Sequence, residues 1–297
     1  MCGIVGLFLK DRALEPRLGE MLTDMLVTMT DRGPDSAGIA VYSEDHAGQA
    51  KLTVQADDPG CFAGLDEDLS KVLGCDVTLR IKDSHVVIDL PEAKMAEARA
   101  ALKELRPDAR VMSAGQVIEI YKEVGLPADV AKRFDIPHLA GSHGIGHTRM
   151  ATESAVTTLG AHPFSTGADQ CLVHNGSLSN HNSLRRQLSR EGVEVETEND
   201  SEVAAAYLTR KMQEGHSLGE ALEAGLDDLD GFYTFVVGTK DGFGVVRDPI
   251  ACKPAVMAET DKYVAFGSEY RALVNLPGIE DARVWEPEPA TVYFWKH

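Results

Sequence analysis

Short apolar runs separated by turn residues occupy both ends of this 297-residue chain. Residues 3–9 form a continuous apolar run, which predicts a buried strand. Apolar side chains at helical spacing predict an amphipathic helix over about 15–30. The segment 31–38, DRGPDSAG, combines Gly, Pro, Asp and Ser and indicates a loop, and a strand is expected near 37–43.

The pattern changes between about 46 and 141, where we predict a compact inserted α+β subdomain. Two β-rich runs around Lys82–Ser84 indicate a hairpin. The sequence PEAKMAEARAALKEL predicts a helix with Pro91 in its first turn. Two more short helical stretches are expected before Gly141, one of them QVIEIYKEV.

From residue 142 onward, apolar runs alternate with loops rich in glycine and histidine. GIGHTRM and CLVHNG each indicate a strand that runs into a turn, and FYTFVVG, FGVVRD, YVAFGS and TVYFW indicate further strands. NHNSLRRQLSR and NDSEVAAAYLTRKM predict helices with Asn or Ser at their starts. Two strand-rich halves with helices between them predict stacked sheets that are covered by helices.

Charge and composition restrict the classes of partner. The chain has 29 basic and 47 acidic residues, a net charge of −18, which argues against nucleic acid as a partner. This charge serves either solubility or docking to a basic surface on another subunit. No apolar run reaches the roughly 18 residues of a membrane helix, and the start of the chain has no secretory signal, so a cytoplasmic protein is expected.

The cysteines argue against a metal or iron–sulfur site in this chain because they form no CxxC motif and no cluster with histidine. Four of them are interpreted as small buried apolar residues: Cys61, Cys75, Cys171 and Cys252. Cys2 differs, because removal of Met1 would place a thiol and a free α-amine on one residue. An α-amine has a reference pKa of about 7.7–8.0 and can act as general base for its own thiol. A purely structural Cys2 remains the alternative.

Three further motifs each allow a catalytic and an ordinary interpretation. Asn175 and Gly176 can form an oxyanion hole or a simple turn. Arg149 can bind a carboxylate of the substrate or pair with one of the many acidic side chains. Asp200 can receive a substrate ammonium group or cap a helix. With Cys2, these residues supply what hydrolysis of an amino-acid amide requires.

The ordered set of motifs resembles the class II, N-terminal-nucleophile glutamine amidotransferases. The matching segments are MCGIVGLF, DRGPDSAG, GHTRMATES, HNGSLSNHNSLR, ENDSEV, RDPIACKP and FGSE, within roughly 1–45 and 142–275. The resemblance implies an α+β protein with the four-layer αββα N-terminal-nucleophile hydrolase fold. One such domain is expected over 1–297, interrupted by the insertion, with the nucleophile at the start of an inner strand.

The same resemblance implies a role for each matching residue. Cys2 is expected to be the nucleophile, Arg32 to support it, and Asn175 and Gly176 to form the oxyanion hole. Arg149 is expected to clamp the α-carboxylate of the substrate, with Thr152 beside it, and Asp200 to bind the α-amine. The chain departs from the common family pattern at Asp31, where histidine is frequent, and at Met150 and Glu153, where tryptophan and histidine are frequent.

The chain has no ATP-binding or synthase domain after the last family motif, so the ammonia acceptor is expected on another polypeptide. This arrangement resembles the separate amidotransferase subunits of glutamate-synthase-type enzymes, in particular the amidotransferase-like subunit of N-methylglutamate synthase (methylamine–glutamate N-methyltransferase). It implies L-glutamine as substrate, synthase-type partner subunits, FMN and an iron–sulfur cluster on those partners, and no cofactor here. The alternatives are a regulatory or structural subunit with little glutaminase activity, an ordinary glutamate synthase subunit, and an amidase for another amide.

Overall fold

The computed structural model describes residues 2–151 and 155–297. Its strands are β1 (Gly3–Leu9), β2 (Ser36–Tyr42), β3 (Gln49–Gln55), β4 (Thr78–Lys82), β5 (His85–Pro91), β6 (Arg110–Gly115), β7 (Ile118–Val124), β8 (His143–Arg149), β9 (Phe164–Gly167), β10 (Gln170–Leu178), β11 (Gly231–Thr239), β12 (Gly242–Arg247), β13 (Val256–Glu259), β14 (Tyr263–Gly267), β15 (Arg283–Trp285) and β16 (Val292–Lys296). Its α-helices are α1 (Leu18–Thr28), α2 (Leu65–Leu73), α3 (Met95–Leu105), α4 (Pro127–Arg133), α5 (His181–Arg190), α6 (Asp200–Gln213) and α7 (Leu218–Asp228).

Two antiparallel sheets pack face to face in the centre of the molecule. The first has the strand order β15-β13-β14-β1-β8-β2-β7, and the second has the order β16-β12-β11-β10-β9. Alternate residues of β1, Ile4 and Phe8, point into the space between the sheets and pack with Val173, Val236 and Phe243 of the second sheet. This interdigitation buries one apolar face of each sheet.

Helices cover the two outer faces. On the first sheet, α1 packs against Val5 and Leu7 of β1 through Leu22 and Leu26, and α4 packs against β2 and β7. On the outer face of the second sheet, α6 packs against β9 and β10, α7 packs against β12 and β16, and α5 packs on α6. The layers therefore follow the order helix, sheet, sheet, helix, and the predicted αββα fold is confirmed.

A third sheet forms a separate unit with its own core. Strands β4-β5-β3-β6 are covered by α2 and α3, and the buried residues include Leu52, Phe62, Leu69, Ile88 and Leu102. This unit lies inside the segment 46–141 that the sequence predicts as an insertion. The last part of that segment instead supplies β7 to the seven-stranded sheet and α4 to its outer layer.

The prediction of a helix at QVIEIYKEV is wrong, because this segment is β7. The strand pairs with β2 along its whole length, from Ile118 opposite Tyr42 to Val124 opposite Ser36. Ile118 and Ile120 point into the core between the sheets, whereas Tyr121 packs on the helical side. The apolar residues thus alternate with a period of two, which is the pattern of a strand.

The burial predicted for four cysteines holds for Cys171, whose sulfur lies 3.3 Å from the hydroxyl of Tyr42. Cys61 and Cys75 are half-buried, and Cys252 is exposed. The prediction is wrong for Cys252 because the residue lies in the loop that follows β12 rather than in a strand or helix.

None of the helices in the described ranges is both long and apolar enough to span a bilayer.

Candidate active site

Cys2 directly precedes β1, a central strand of the seven-stranded sheet. Its carbonyl oxygen accepts hydrogen bonds from Arg32 Nε at 2.9 Å and from Asn175 Nδ2 at 3.2 Å. Its sulfur lies 4.0 Å from the carbonyl oxygen of Met150. Three segments that are far apart in the sequence therefore converge on Cys2.

Arg32 is buried and links the Cys2 backbone to an acidic residue that sequence reasoning did not assign. Its Nη1 lies 2.7 Å from Glu269 Oε1. The hydrogen bond from Arg32 is the main reason why the pKa of Glu269 is below its ordinary value. Glu269 is the acid of the FGSE motif. Sequence reasoning could have looked for such a residue, because a buried guanidinium needs an anionic partner. This ion pair fixes the guanidinium that holds the Cys2 carbonyl.

Asn175 and Gly176 lie within β10, opposite Thr234 and Tyr233 of β11. The interpretation of this pair as a simple turn is therefore wrong. Gly176 has φ +154°, and a Cβ atom there would lie 2.0 Å from the carbonyl oxygen of Phe232. Only glycine fits both the conformation and the space. The Asn175 amide carries two N–H donors, so one can hold Cys2 while the other serves a substrate oxygen.

Asp200 is the first residue of α6, and the capping residue is its neighbour Asn199, whose side chain accepts from Ser201 N at 2.9 Å. The carboxylate of Asp200 is thus not used as the cap. Its Oδ2 accepts from the backbone N–H of Leu178 at 2.9 Å, which joins the start of α6 to the end of β10. The side chain remains 21% exposed, which leaves the carboxylate accessible to a ligand.

Arg149 ends β8 and is 6% exposed. Its Nη1 donates to the carbonyl of Ala155 at 3.3 Å. The loop before β2 packs tightly on this strand end, because a Cβ at Gly33 would lie 2.4 Å from the carbonyl carbon of Thr148. Asp35 Oδ2 also accepts from Ala151 N at 2.8 Å. The predicted site residue Thr152 lies outside the described residues.

Three buried histidines behind the site were missed by sequence reasoning. His147 comes from GHTRM, His174 from HNG, and His162 stacks on His147 with ring centroids 4.0 Å apart. Burial lowers the pKa of each imidazole, that of His147 to about 3. The sequence offered one indication of them, since the assigned motifs GHTRM and HNG each contain a histidine. These rings are neutral at physiological pH and serve the site as hydrogen-bonding groups.

The arrangement provides the parts of an acyl-transfer site. Cys2 lies beside the Asn175 amide, and the Arg149 guanidinium belongs to the last residue of β8. The Asp200 carboxylate, at the start of α6, is hydrogen-bonded to the end of β10. In the two described ranges, no group of three or more His, Cys, Asp or Glu side chains is placed to hold a metal ion.

Comparison with known proteins agrees with this geometry. Residues 147–275 match the family described as glutamine amidotransferase domain. The chain is 69% identical over 298 residues to the glutamine amidotransferase-like protein GlxB of Rhizobium meliloti, covering 100% of this chain and 99% of that protein. It is 33% identical over 310 residues to a putative glutamine amidotransferase of Methanothermobacter thermautotrophicus, covering 99% of each.

The fold also matches a solved structure. Glutamine phosphoribosylpyrophosphate amidotransferase from B. subtilis, complexed with ADP and GMP, superimposes with a TM-score of 0.63 at 19% identity. The match covers 99% of this chain and 47% of that chain, so the likeness concerns about half of the larger protein and shows the fold alone. Full-length similarity to the two relatives carries the assignment: the chain belongs to the class II glutamine amidotransferase family.

Proposed function

We propose that this protein is a glutaminase subunit that hydrolyses L-glutamine to glutamate and ammonia through the thiol of Cys2. The observation that carries the proposal is the convergence of Arg32 and Asn175 on the Cys2 carbonyl, at 2.9 Å and 3.2 Å. These contacts fix the residue whose sulfur would react. Full-length similarity to two glutamine amidotransferase relatives supports the same chemistry.

In the proposed reaction, Met1 is removed and the α-amine of Cys2 accepts the thiol proton. The sulfur attacks the side-chain amide carbon of glutamine, and the C–N bond breaks as the amine returns the proton to the leaving ammonia. Water then hydrolyses the glutamyl thioester and releases glutamate. Asn175 Nδ2 and the Gly176 N–H are proposed to stabilise the oxyanion of both tetrahedral intermediates, where one donor typically contributes about 3–4 kcal/mol.

The far end of glutamine is proposed to lie between opposite charges. The Arg149 guanidinium would bind the α-carboxylate, with Thr152 beside it, and Asp200 would bind the α-ammonium. The placement of Arg149 at the end of β8 supports this assignment, since the carbonyl of the next residue, Met150, lies 4.0 Å from the Cys2 sulfur. The 21% exposure of the Asp200 side chain supports access of a ligand.

We further propose that ammonia passes to a synthase-type partner, in the manner of the amidotransferase-like subunit of N-methylglutamate synthase. Two relatives match this chain over 99% of their own lengths, which supports an acceptor site on another polypeptide. FMN and an iron–sulfur cluster are proposed on those partners. The net charge of −18 supports a basic docking surface on them.

The test of the glutaminase is ammonia release from L-glutamine by the unmodified protein and by Cys2→Ala. Cys2→Ala should reduce turnover by at least about 10⁴-fold, because no other group replaces the nucleophile. It should still bind glutamine in calorimetry. The matched control is Cys252→Ala, since Cys252 is exposed and lies in a loop. Undiminished turnover in Cys2→Ala would overturn the proposal.

The proposed partnership has a separate test. Co-expressed synthase-type subunits should increase ammonia release, and the purified complex should contain flavin and iron. If the complex forms but glutamine is not hydrolysed in it, the chain is instead a regulatory or structural subunit. If turnover is complete without any partner and none binds, the partnership is wrong while the glutaminase stands.

A further inference from the structure

A buried hydroxyl connects two of the histidines to Asp200. Ser201 Oγ lies 2.8 Å from His162 Nε2, 2.9 Å from His174 Nδ1 and 3.4 Å from Asp200 Oδ1. The exposed fractions are 2% for Ser201, 5% for His162 and 3% for His174. The carboxylate that is proposed to bind the ammonium group is thus in contact with a serine hydroxyl that is itself buried between two imidazoles.

Only one arrangement of protons allows all three contacts of the Ser201 hydroxyl to be hydrogen bonds. A serine hydroxyl has one proton and two lone pairs, and an ionised carboxylate only accepts. If Ser201 donates to Asp200, both imidazoles must donate to Ser201. That arrangement requires the proton of His174 on Nδ1 and the proton of His162 on Nε2.

The other ring nitrogens support this arrangement. His174 Nε2 and His162 Nδ1 are buried and have no hydrogen-bond partner among the described residues. In the proposed tautomers, both are bare lone pairs. Buried unpaired acceptors occur more often in proteins than buried unpaired N–H groups. His147 behaves in the same way, since its Nε2 lies 3.1 Å from the carbonyl of His174 and its Nδ1 is unpartnered in the same ranges.

We propose that Ser201 is a positioning residue of the glutamine site, held by N–H donors of His162 and His174 so that its hydroxyl orients the carboxylate of Asp200 toward the α-ammonium of glutamine. This inference rests on the proposed function. Leu178 N–H donates to Oδ2 at 2.9 Å and the Ser201 hydroxyl lies 3.4 Å from Oδ1, so each carboxylate oxygen has a donor in the protein before glutamine arrives. Such preorganisation reduces the entropy lost on binding.

The neutral state of His174 leaves the charge of Asp200 unpaired by this imidazole. Its Nδ1 lies 3.7 Å from Asp200 Oδ1, close enough for an ion pair if the ring were charged. Burial of the imidazole lowers its pKa and keeps it neutral. The negative charge of Asp200 is therefore not compensated by the histidine and remains available for a cationic ligand.

The first experiment compares Ser201→Ala with Ser113→Ala, a buried serine of β6 that serves as the matched control. Ser201→Ala should raise KM for L-glutamine by about 10-fold, the usual effect of losing a hydrogen bond to a charged group, with a smaller change in kcat. For 4-carbamoylbutanoate, which is glutamine without its α-amine, the rise in KM should be much smaller. Equal rises for both substrates would overturn the positioning role.

The second experiment tests the tautomers. An asparagine amide can replace the donor at Nδ1 of histidine, and a glutamine amide can replace the donor at Nε2. KM for L-glutamine should therefore be at least about fivefold lower in His174→Asn than in His174→Gln, and lower in His162→Gln than in His162→Asn. Equal KM values within each pair would indicate a space-filling role and contradict the proposal.

Nitrogen-15 NMR of the unmodified protein measures the tautomers without any substitution. The expected result is a proton on Nδ1 of His174 and on Nε2 of His162, and the opposite tautomer of either ring would overturn the inference. If the unmodified protein releases no ammonia from glutamine, the proposed function fails and the positioning role falls with it. If it does release ammonia and Ser201→Ala behaves as Ser113→Ala, only the positioning role fails.

Discussion

Gly176 shows how a single residue can be required twice, by conformation and by space. Its φ of +154° is rarely adopted by other residues, and a Cβ atom there would meet Phe232 O at 2.0 Å and His174 Nε2 at 2.8 Å. The backbone of β11 and a buried imidazole thus leave no room beside the proposed oxyanion-hole glycine. The position explains why an Asn–Gly pair stands inside a strand here.

We therefore expect Gly176→Ala to lower the free energy of unfolding by at least about 3 kcal/mol, from strain and overpacking together. Turnover of glutamine should fall as well, because the N–H of residue 176 would shift. The control is Gly278→Ala, where φ is +72° but nothing lies within 4 Å. It should cost only about 1 kcal/mol. Urea unfolding of both variants measures the difference, and equal costs would contradict the steric argument.

At the same scale, the sequence indicated Cys2, Asn175 and Arg32, and the structure brings their atoms into contact. The residue that completes the group, Glu269, is 237 positions from Arg32. Local spacing carries no information on such a pairing. The same holds for Ser201, whose importance depends on two histidines from other strands and loops.

Among the elements, β8 carries polar residues through the interior of the molecule. His143 and His147 are buried on this strand, at 0% and 1% exposure. His143 Nε2 donates to the carbonyl of Thr239 at 2.9 Å, and the ring stacks on Tyr42 at 4.1 Å. Burial lowers the pKa of His143 to about 3. The folded state therefore favours the neutral form of the histidines on this strand.

This preference determines the direction in which the free energy of unfolding changes with pH. Because the folded pKa of His143 is below its ordinary value of 6.5, the unfolded chain binds more protons between pH 6.5 and about 3. Stability is lost as the pH falls through this window, by up to about 1.4 kcal/mol per pH unit for one group. In His143→Gln, the slope of unfolding free energy against pH should be shallower by about that amount. An unchanged slope between pH 6 and 4 would contradict the assignment.

Elements with a long, regular apolar pattern were predictable, including β1, α1, β10 and α6. The failure at β7 has a physical cause, since QVIEIYKEV contains charged residues that a surface helix would also expose. In the strand, Glu119 and Lys122 are buried because partners from outside the strand pair with them, Lys51 and the carbonyl of Ala161 respectively. Pairing of this kind is a tertiary effect that overrides local propensity.

At the scale of the whole molecule, two ion pairs to the buried Glu119 join the four-stranded unit to the seven-stranded sheet. Glu119 of β7 lies 3.0 Å from Lys51 of β3 and 2.8 Å from Arg80 of β4. Burial alone would raise the pKa of Glu119, but the two cations outweigh it and lower the pKa to about 2. The paired carboxylate contributes stability above pH 4.5 that is lost as the pH falls toward 2.

Glu119→Gln should therefore destabilise the protein by about 3 kcal/mol at pH 7, because two cations lose their common partner. The control is Glu97→Gln, an exposed residue of α3 that pairs with Lys94 just before the helix, and its cost should be much smaller. Urea unfolding at pH 7 and pH 3 is the measurement. A cost for Glu119→Gln as small as that of the control would mean that this ion pair does not join the two parts.

Mass spectrometry tests most directly whether an N-terminal Cys2 attacks glutamine. The protein is weighed intact and mapped after exposure to a diazoketone analogue of glutamine, which loses nitrogen as it alkylates a nucleophile. The expected result is a mass without Met1 and a single adduct on Cys2, which excess L-glutamine prevents. An adduct on Cys61, Cys75 or Cys252 instead, or Met1 retained in protein that hydrolyses glutamine, would contradict it.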